Sequence, residues 1–239
     1  MLVHAHHHMD LDLLRLDETD AALDDGSRRR IKRWILRGVL GFIAFLLIGN
    51  LGILAASLTA RTQALPRPDV QVKNFRVVDE HVWRGAAPGE VTYRDLAAAG
   101  ATTVVDLRAE DNVHVNEALL SDLGLTRIHM PIRDGQIPSQ DQIDRFVRIV
   151  AGSEGPVFVH CGAGVGRTGA MVAAYLVRTS ETSGIEAVRR NLSVGPPSLE
   201  QIAFAATLDG ADADRVPAPV VVVSRVLDAP RRLWSRYGV

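Results

Sequence analysis

Residues 157–169 read VFVHCGAGVGRTG and contain Cys161, the only cysteine of the 239-residue chain. Val157, Phe158 and Val159 form a short β-branched and aromatic run, announced by Gly155 and Pro156, and read as a buried strand. From Thr168 onward, Ala170, Met171, Val172, Ala173, Ala174, Tyr175 and Leu176 read as an apolar helix. Between them Gly162, Gly164 and Gly166 alternate with Ala163 and Val165. Such a loop turns tightly and lets a ligand approach the backbone. Where it opens a helix, several N–H groups and the positive end of the helix dipole converge on one point, which makes an anion site.

Cys161 stands at the mouth of that site. A helix N-terminus and a neighbouring cation favour a thiolate over a thiol. A thiolate here would be a nucleophile held against a bound phosphate. Arg167 offers a planar fork of donors suited to phosphate oxygens. Together the two residues point to phosphoryl transfer through a covalent phosphocysteine. A plain buried cysteine in a tight strand-to-helix turn is the alternative.

His160-Cys161, five residues, then Arg167-Thr168-Gly169 resembles the signature of the cysteine-dependent protein tyrosine and dual-specificity phosphatases. The resemblance implies Cys161 as nucleophile and Arg167 as phosphate clamp. It implies a cradle of N–H groups along Gly162, Ala163, Gly164, Val165, Gly166 and Arg167. It places the Thr168 hydroxyl where it supports the thiolate, and His160 where it orients the loop. It calls for no cofactor and no metal, because the cradle supplies the positive charge.

The leaving oxygen needs a proton, which the family takes from an aspartate upstream of the signature. Residues 126–139, TRIHMPIRDGQIPS, contain a strand over Ile128–Ile132 broken by Pro131, then the turn Asp134-Gly135. Ser139 reads as an N-cap opening a helix over Gln140–Val150. Asp134 falls just past a strand end, where open α/β sheets bind ligands. It is the expected general acid. Its rival Asp141 lies in the first turn of the helix, where an acidic side chain suits the dipole. Asp106 and Arg108, in VVDLRAED at 104–111, read as structural. In SVGPPSLEQIAF at 193–204, Gln201 matches the family's segment beside the attacking water, and helical amphipathicity explains it equally well.

Strands alternate with helices along the rest of the chain: TTVVDL, VNEALLSDLG, RIHMPI, SQDQIDRFVRIVAG, VFVH, then helices across 168–180, 184–192 and 198–208. The pattern predicts an α/β fold, a mainly parallel central sheet flanked by helices as in dual-specificity phosphatases. One transmembrane helix is expected to precede it. Residues 75–100 resemble the opening of bacterial dual-specificity-like phosphatases, where a strand with an Arg-Gly step leads into the first helix. The resemblance covers about residues 74–208.

From Gly38 to Leu58 there is no charged residue, and Asn50 is the one strongly polar side chain. About 20 apolar residues span a bilayer as a helix. The expected organisation is a disordered cytoplasmic region over 1–33, a transmembrane helix over 34–58 and a linker over 59–73. A phosphatase domain over 74–210 and a tail over 211–239 follow. A cleaved secretory signal is the alternative for the apolar segment. Six basic residues lie in 28–37, whereas only Arg61, Arg67 and Lys73 follow closely. The excess of basic residues favours a single-pass membrane protein with its catalytic domain outside the cytoplasm. A lone reactive thiolate is safer in a reducing compartment, so the side stays open. The tail carries arginines, a tryptophan and a tyrosine that would suit a membrane surface. The HAHHHM run near the start is given no role.

A formal net charge of −1 and no clustered basic face argue against nucleic acid as a partner. The expected partners are a phosphorylated protein or another phosphomonoester, and the membrane through one helix. A phospholipid or inositol-phosphate phosphatase on the same fold stays open. So does a non-catalytic module that captures phosphorylated ligands, although such modules usually lose the cysteine, arginine or acid. No lysine stands inside the loop, which weighs against the inositol reading.

Overall fold

The computed structural model describes residues 25–61, 71–110, 114–179, 182–209 and 216–237. The histidine run and most of the expected 59–73 linker lie outside these residues.

The chain divides into two units, one up to Ile48 and one from Gly49 on. The first holds most of helix α1 (Asp25–Arg61). Within Arg29–Ala60 an 18-residue stretch has a mean hydropathy of 2.4, enough by length and composition to cross a membrane. Trp34, Leu36, Leu40, Phe42 and Ile48 all stand exposed, so apolar side chains are presented around the helix rather than along one stripe. The helix begins at Asp25, so residues 25–33 are helical where disorder was expected. Nothing in DGSRRRIKR breaks the helix, and its straight-chain basic residues favour it.

The second unit runs β1 (Arg76–Val77), β2 (Val82–Gly85), α2 (Glu90–Ala98), β3 (Thr103–Arg108), α3 (Glu117–Asp122), β4 (Thr126–Ile132), α4 (Gln140–Gly152) and β5 (Val157–His160). Helices α5 (Gly166–Thr179), α6 (Gly184–Leu192), α7 (Leu199–Ala206) and α8 (Ala218–Tyr237) follow. The sheet order is β1-β2-β5-β3-β4, with only the β1–β2 pair antiparallel.

Both faces of the sheet are covered, which is why its inner strands are continuous apolar runs. Val157 and Val159 of β5 and Val105 and Leu107 of β3 pack with Phe146 of α4 and Met171 and Tyr175 of α5. Phe158 and Val104 face the other way, against Tyr93 and Leu96 of α2 and Leu120 of α3. Phe158 is fully buried, so truncation to alanine would cost about 3–5 kcal/mol.

Helices start where the sequence signals them. Ser139 and Gln142 form a reciprocal capping box on α4, and Ser198 and Gln201 form another on α7. Two expectations change. Helix α5 opens at Gly166 rather than Thr168, which brings Arg167 into its first turn. Residues 218–237 of the tail form a helix, α8, with Ser224 and Leu227 buried.

Pro131 does not break β4. The strand runs through it because β4 is at the sheet edge, where a missing N–H is tolerated. The register slips there instead: His129 pairs with Asp106 but Ile132 with Arg108, a bulge that bends the strand end.

Candidate active site

The parallel strands β3, β4 and β5 end on one side of the sheet, and the residues beyond those ends make the site. Glu110 follows β3, Asp134 follows β4 and Cys161 follows β5, with Arg167 in the first turn of α5. An open parallel sheet presents its ligand site at its carboxyl ends.

Four consecutive loop carbonyls are held by the segment around β2. Gly162 O accepts from Ala87 N at 2.9 Å, and Ala163 O from Asn74 Nδ2 at 2.9 Å. Gly164 O and Val165 O accept from Arg84 Nη2 at 2.8 and 3.4 Å. In a trans peptide the N–H points opposite the carbonyl. Pinning these carbonyls therefore turns the N–H groups of Ala163, Gly164, Val165 and Gly166 to the other side of the loop. Gly164 makes the tightest turn, with φ +72°, and a Cβ there would lie 2.2 Å from the Gly85 backbone.

Cys161 is buried. His160 is fully buried, and its Nδ1 lies 3.2 Å from the Cys161 carbonyl and 3.9 Å from Asp106. Burial lowers the His160 pKa to about 4, against the opposing pull of Asp106, so the ring is neutral at pH 7. A neutral ring with Nδ1 protonated donates to the Cys161 carbonyl and orients it.

Arg167 is held from two sides. Its Nη1 donates to Glu110 Oε2 at 3.0 Å and to the Ile132 carbonyl at 3.1 Å. Its Nη2 lies 2.8 Å from Glu110 Oε1 and 3.7 Å from Asp134 Oδ1. Its Nε is buried without a hydrogen-bond partner among the described residues, a donor left over for a ligand oxygen. Burial alone would lower the Arg167 pKa, but Glu110, Cys161 and Asp134 outweigh it and raise it. Burial alone would raise Glu110, and the Arg167 hydrogen bond and charge hold it below the ordinary range.

Expected site residues therefore converge in part. Cys161, Arg167, Asp134 and the loop share one locus. Thr168 is fully buried beside them, and its hydroxyl has no hydrogen-bond partner among the described residues. Gln201 is buried in the first turn of α7. Its Nε2 donates to Gln136 O at 3.0 Å, a tie to the Asp134 loop, and its Oε1 accepts from Ser198 N at 3.0 Å, closing the capping box of its own helix. Asp106 is structural as expected: fully buried, it accepts from Arg108 and Arg127. Burial would raise its pKa, but the two guanidinium groups hold it well below the carboxylate range.

Sequence reasoning missed Glu110, Arg84, Asn74 and Ser198. Glu110 carried a usable signal, since it lies just past a predicted parallel strand. Arg84 carried one too, a charged residue inside the apolar strand VWRG. Asn74, at φ +58°, carried none.

A family model described as "PTP-NADK: DSP-PTPase phosphatase fused to NAD+ Kinase" matches residues 69–207, more than half of the chain. The chain belongs to this DSP-PTPase family. Among curated DSP-PTPase relatives, the probable NAD kinase 2, chloroplastic, of Oryza sativa subsp. japonica is 31% identical over 124 residues, 46% of this chain and 12% of that protein. The dual specificity protein phosphatase CDC14A of Mus musculus is 37% identical over 78 residues, 32% of this chain and 12% of that protein. The match thus spans about an eighth of the length of these relatives. Among solved structures, the core catalytic domain of the PP-IP phosphatase SIW14 from S. cerevisiae superposes with a TM-score of 0.50 at 17% identity, covering 71% of this chain and 98% of that one. At that identity the likeness is one of fold, the DSP-PTPase α/β architecture.

Proposed function

We propose that the chain hydrolyses phosphate monoesters through a phosphocysteine at Cys161, with residues 74–210 as its catalytic domain. One observation carries the reading. The loop after Cys161 has its carbonyls tied outward and its N–H groups turned the other way, and Arg167 and Asp134 stand 3.7 Å apart beside it.

The Cys161 thiolate attacks phosphorus in line with the ester oxygen. The S–P bond forms as the P–O bond breaks, and Asp134 gives its proton to the departing oxygen. The loop N–H groups and Arg167 hold the remaining oxygens, where charge is spread during phosphoryl transfer. Water then attacks the phosphocysteine, Asp134 takes a proton from it, and the thiolate leaves. His160 and Gln201 orient the backbone on either side.

The substrate class we favour is a phosphorylated protein. The dual-specificity protein phosphatase name of the mouse relative and the absence of a lysine in the loop support it. The apolar helix would anchor the enzyme as a single-pass membrane protein. The basic run at 28–37 favours a catalytic domain outside the cytoplasm.

The test is phosphate release from an aryl phosphate by the full chain in detergent, with reductant and without added metal. Turnover is expected for the wild type and none for Cys161→Ser. A slowing of roughly a hundredfold is expected for Asp134→Ala. A folded wild type inert towards aryl phosphate and phosphopeptides would overturn the hydrolase reading and leave a binding module.

A further inference from the structure

Arg84 is buried in strand β2, 3% exposed. Its Nη2 reaches Gly164 O, Val165 O and, at 2.9 Å, Asn191 Oδ1 of α6. Every one of these acceptors is uncharged. No carboxylate pairs with it among the described residues, and its Nε is buried without a hydrogen bond. A buried guanidinium facing only neutral acceptors is costly. Burial brings its pKa down to about 10, opposed by the nearby Cys161, so it is still a cation at neutral pH. Among the described residues the buried Arg167 and Asp106 have charged partners in direct contact, Glu110 for the first and Arg108 and Arg127 for the second.

The surroundings fix Arg84 in place. Gly85, next in the strand, has Val72 and Phe158 against it, and Gly164 lies across the Gly85 backbone. Asn191, the side-chain acceptor, is itself buried and lies against Gly169, where a Cβ would meet it at 2.0 Å. Strand, loop and α6 thus meet on one guanidinium, with α5 packed against Asn191.

We propose that Arg84 is a positioning residue for the anion at Cys161. It holds the Gly164 and Val165 peptides with their N–H partners facing the ligand, and its charge under the loop adds to the field that favours an anion at Cys161. The proposal rests on the phosphate-cradle reading above and concerns a residue that would not touch the substrate.

The test uses the full chain in detergent and tungstate as the oxyanion probe, with binding followed by calorimetry, stability by melting temperature and turnover on an aryl phosphate. Arg84→Met removes a buried charge but leaves Gly164 O and Asn191 Oδ1 without that donor, so it is expected to melt below the wild-type temperature. It is also expected to bind tungstate roughly tenfold or more weakly, with KM raised in parallel. Arg84→Lys keeps the charge and is expected to recover part of the lost affinity. A purely structural arginine would lose stability alone: the folded fraction of Arg84→Met would keep wild-type affinity. Wild-type tungstate binding by folded Arg84→Met overturns the proposal, as does Arg84→Lys binding tungstate no better than Arg84→Met. A wild type that binds tungstate without turning over any phosphomonoester sinks the hydrolase reading and leaves this one to the binding data. A wild type that does neither sinks both.

Discussion

The Ser198 hydroxyl donates a 3.1 Å hydrogen bond to the carbonyl of Gly135, so the N-terminus of α7 holds the loop that presents Asp134. Gln201 adds a second tie at Gln136. Gln201→Ala removes a tie and leaves every group that would touch the phosphate in place. Its damage is expected to follow the leaving group, because a misplaced acid matters only where a proton is needed. Turnover should fall roughly tenfold for an alkyl phosphate and much less for a nitrophenyl phosphate. Equal losses on both substrates would assign Gln201 elsewhere.

Glu110 and Arg167 make a two-pronged ion pair. Replacing Glu110 by Gln keeps the shape and loses the charge, which for a hydrogen bond to a charged group costs about 1–2 kcal/mol. Arg167 would then be oriented less firmly. Both KM and the inhibition constant for inorganic phosphate are expected to rise roughly tenfold. Tighter phosphate binding by Glu110→Gln would identify the carboxylate as a competitor for the guanidinium.

Gly164→Ala places a methyl group into the backbone of Gly85 at a left-handed residue. The conformation alone costs about 1–3 kcal/mol. The loop, lying between Cys161 and α5, must shift to relieve the clash. Turnover is expected to fall roughly a hundredfold or more, with the α/β content of the circular dichroism spectrum kept.

His160 makes stability depend on pH. Folded, it titrates near 4 because it is buried; unfolded, near 6.5. Between those values the unfolded chain binds a proton that the folded chain does not. Stability is therefore expected to fall as pH drops from 6.5 towards 4, by up to about 3 kcal/mol. Above 6.5 this group contributes no slope. Below about 4, Asp106 adds a further loss, since its folded pKa is held below its unfolded one. Melting temperature across pH 7 to 4 reads the slope; a flat line between 6.5 and 4.5 would refute it.

The loop at 157–169 was legible because strand, glycine alternation and helix are all local. So was the cap at Ser139, whose partner lies three residues on. The bulge at Pro131 was not, because it depends on β4 being an edge strand, which only the sheet order reveals. Glu110 and Arg167 are 57 positions apart, Arg84 and Asn191 are 107 apart, and no periodicity links either pair. Gln201 was singled out in the sequence, which marks a polar residue near a loop but not which atoms its amide meets.

The bulge in β4 has a mechanical consequence. Just beyond it, the Ile132 carbonyl grips Arg167, and two residues later comes Asp134. One hold on the clamp and the acid thus ride on one short piece of backbone, like two teeth cut on the same gear. A displacement that swings the acid away also breaks the Ile132 hold and leaves Arg167 to Glu110 alone.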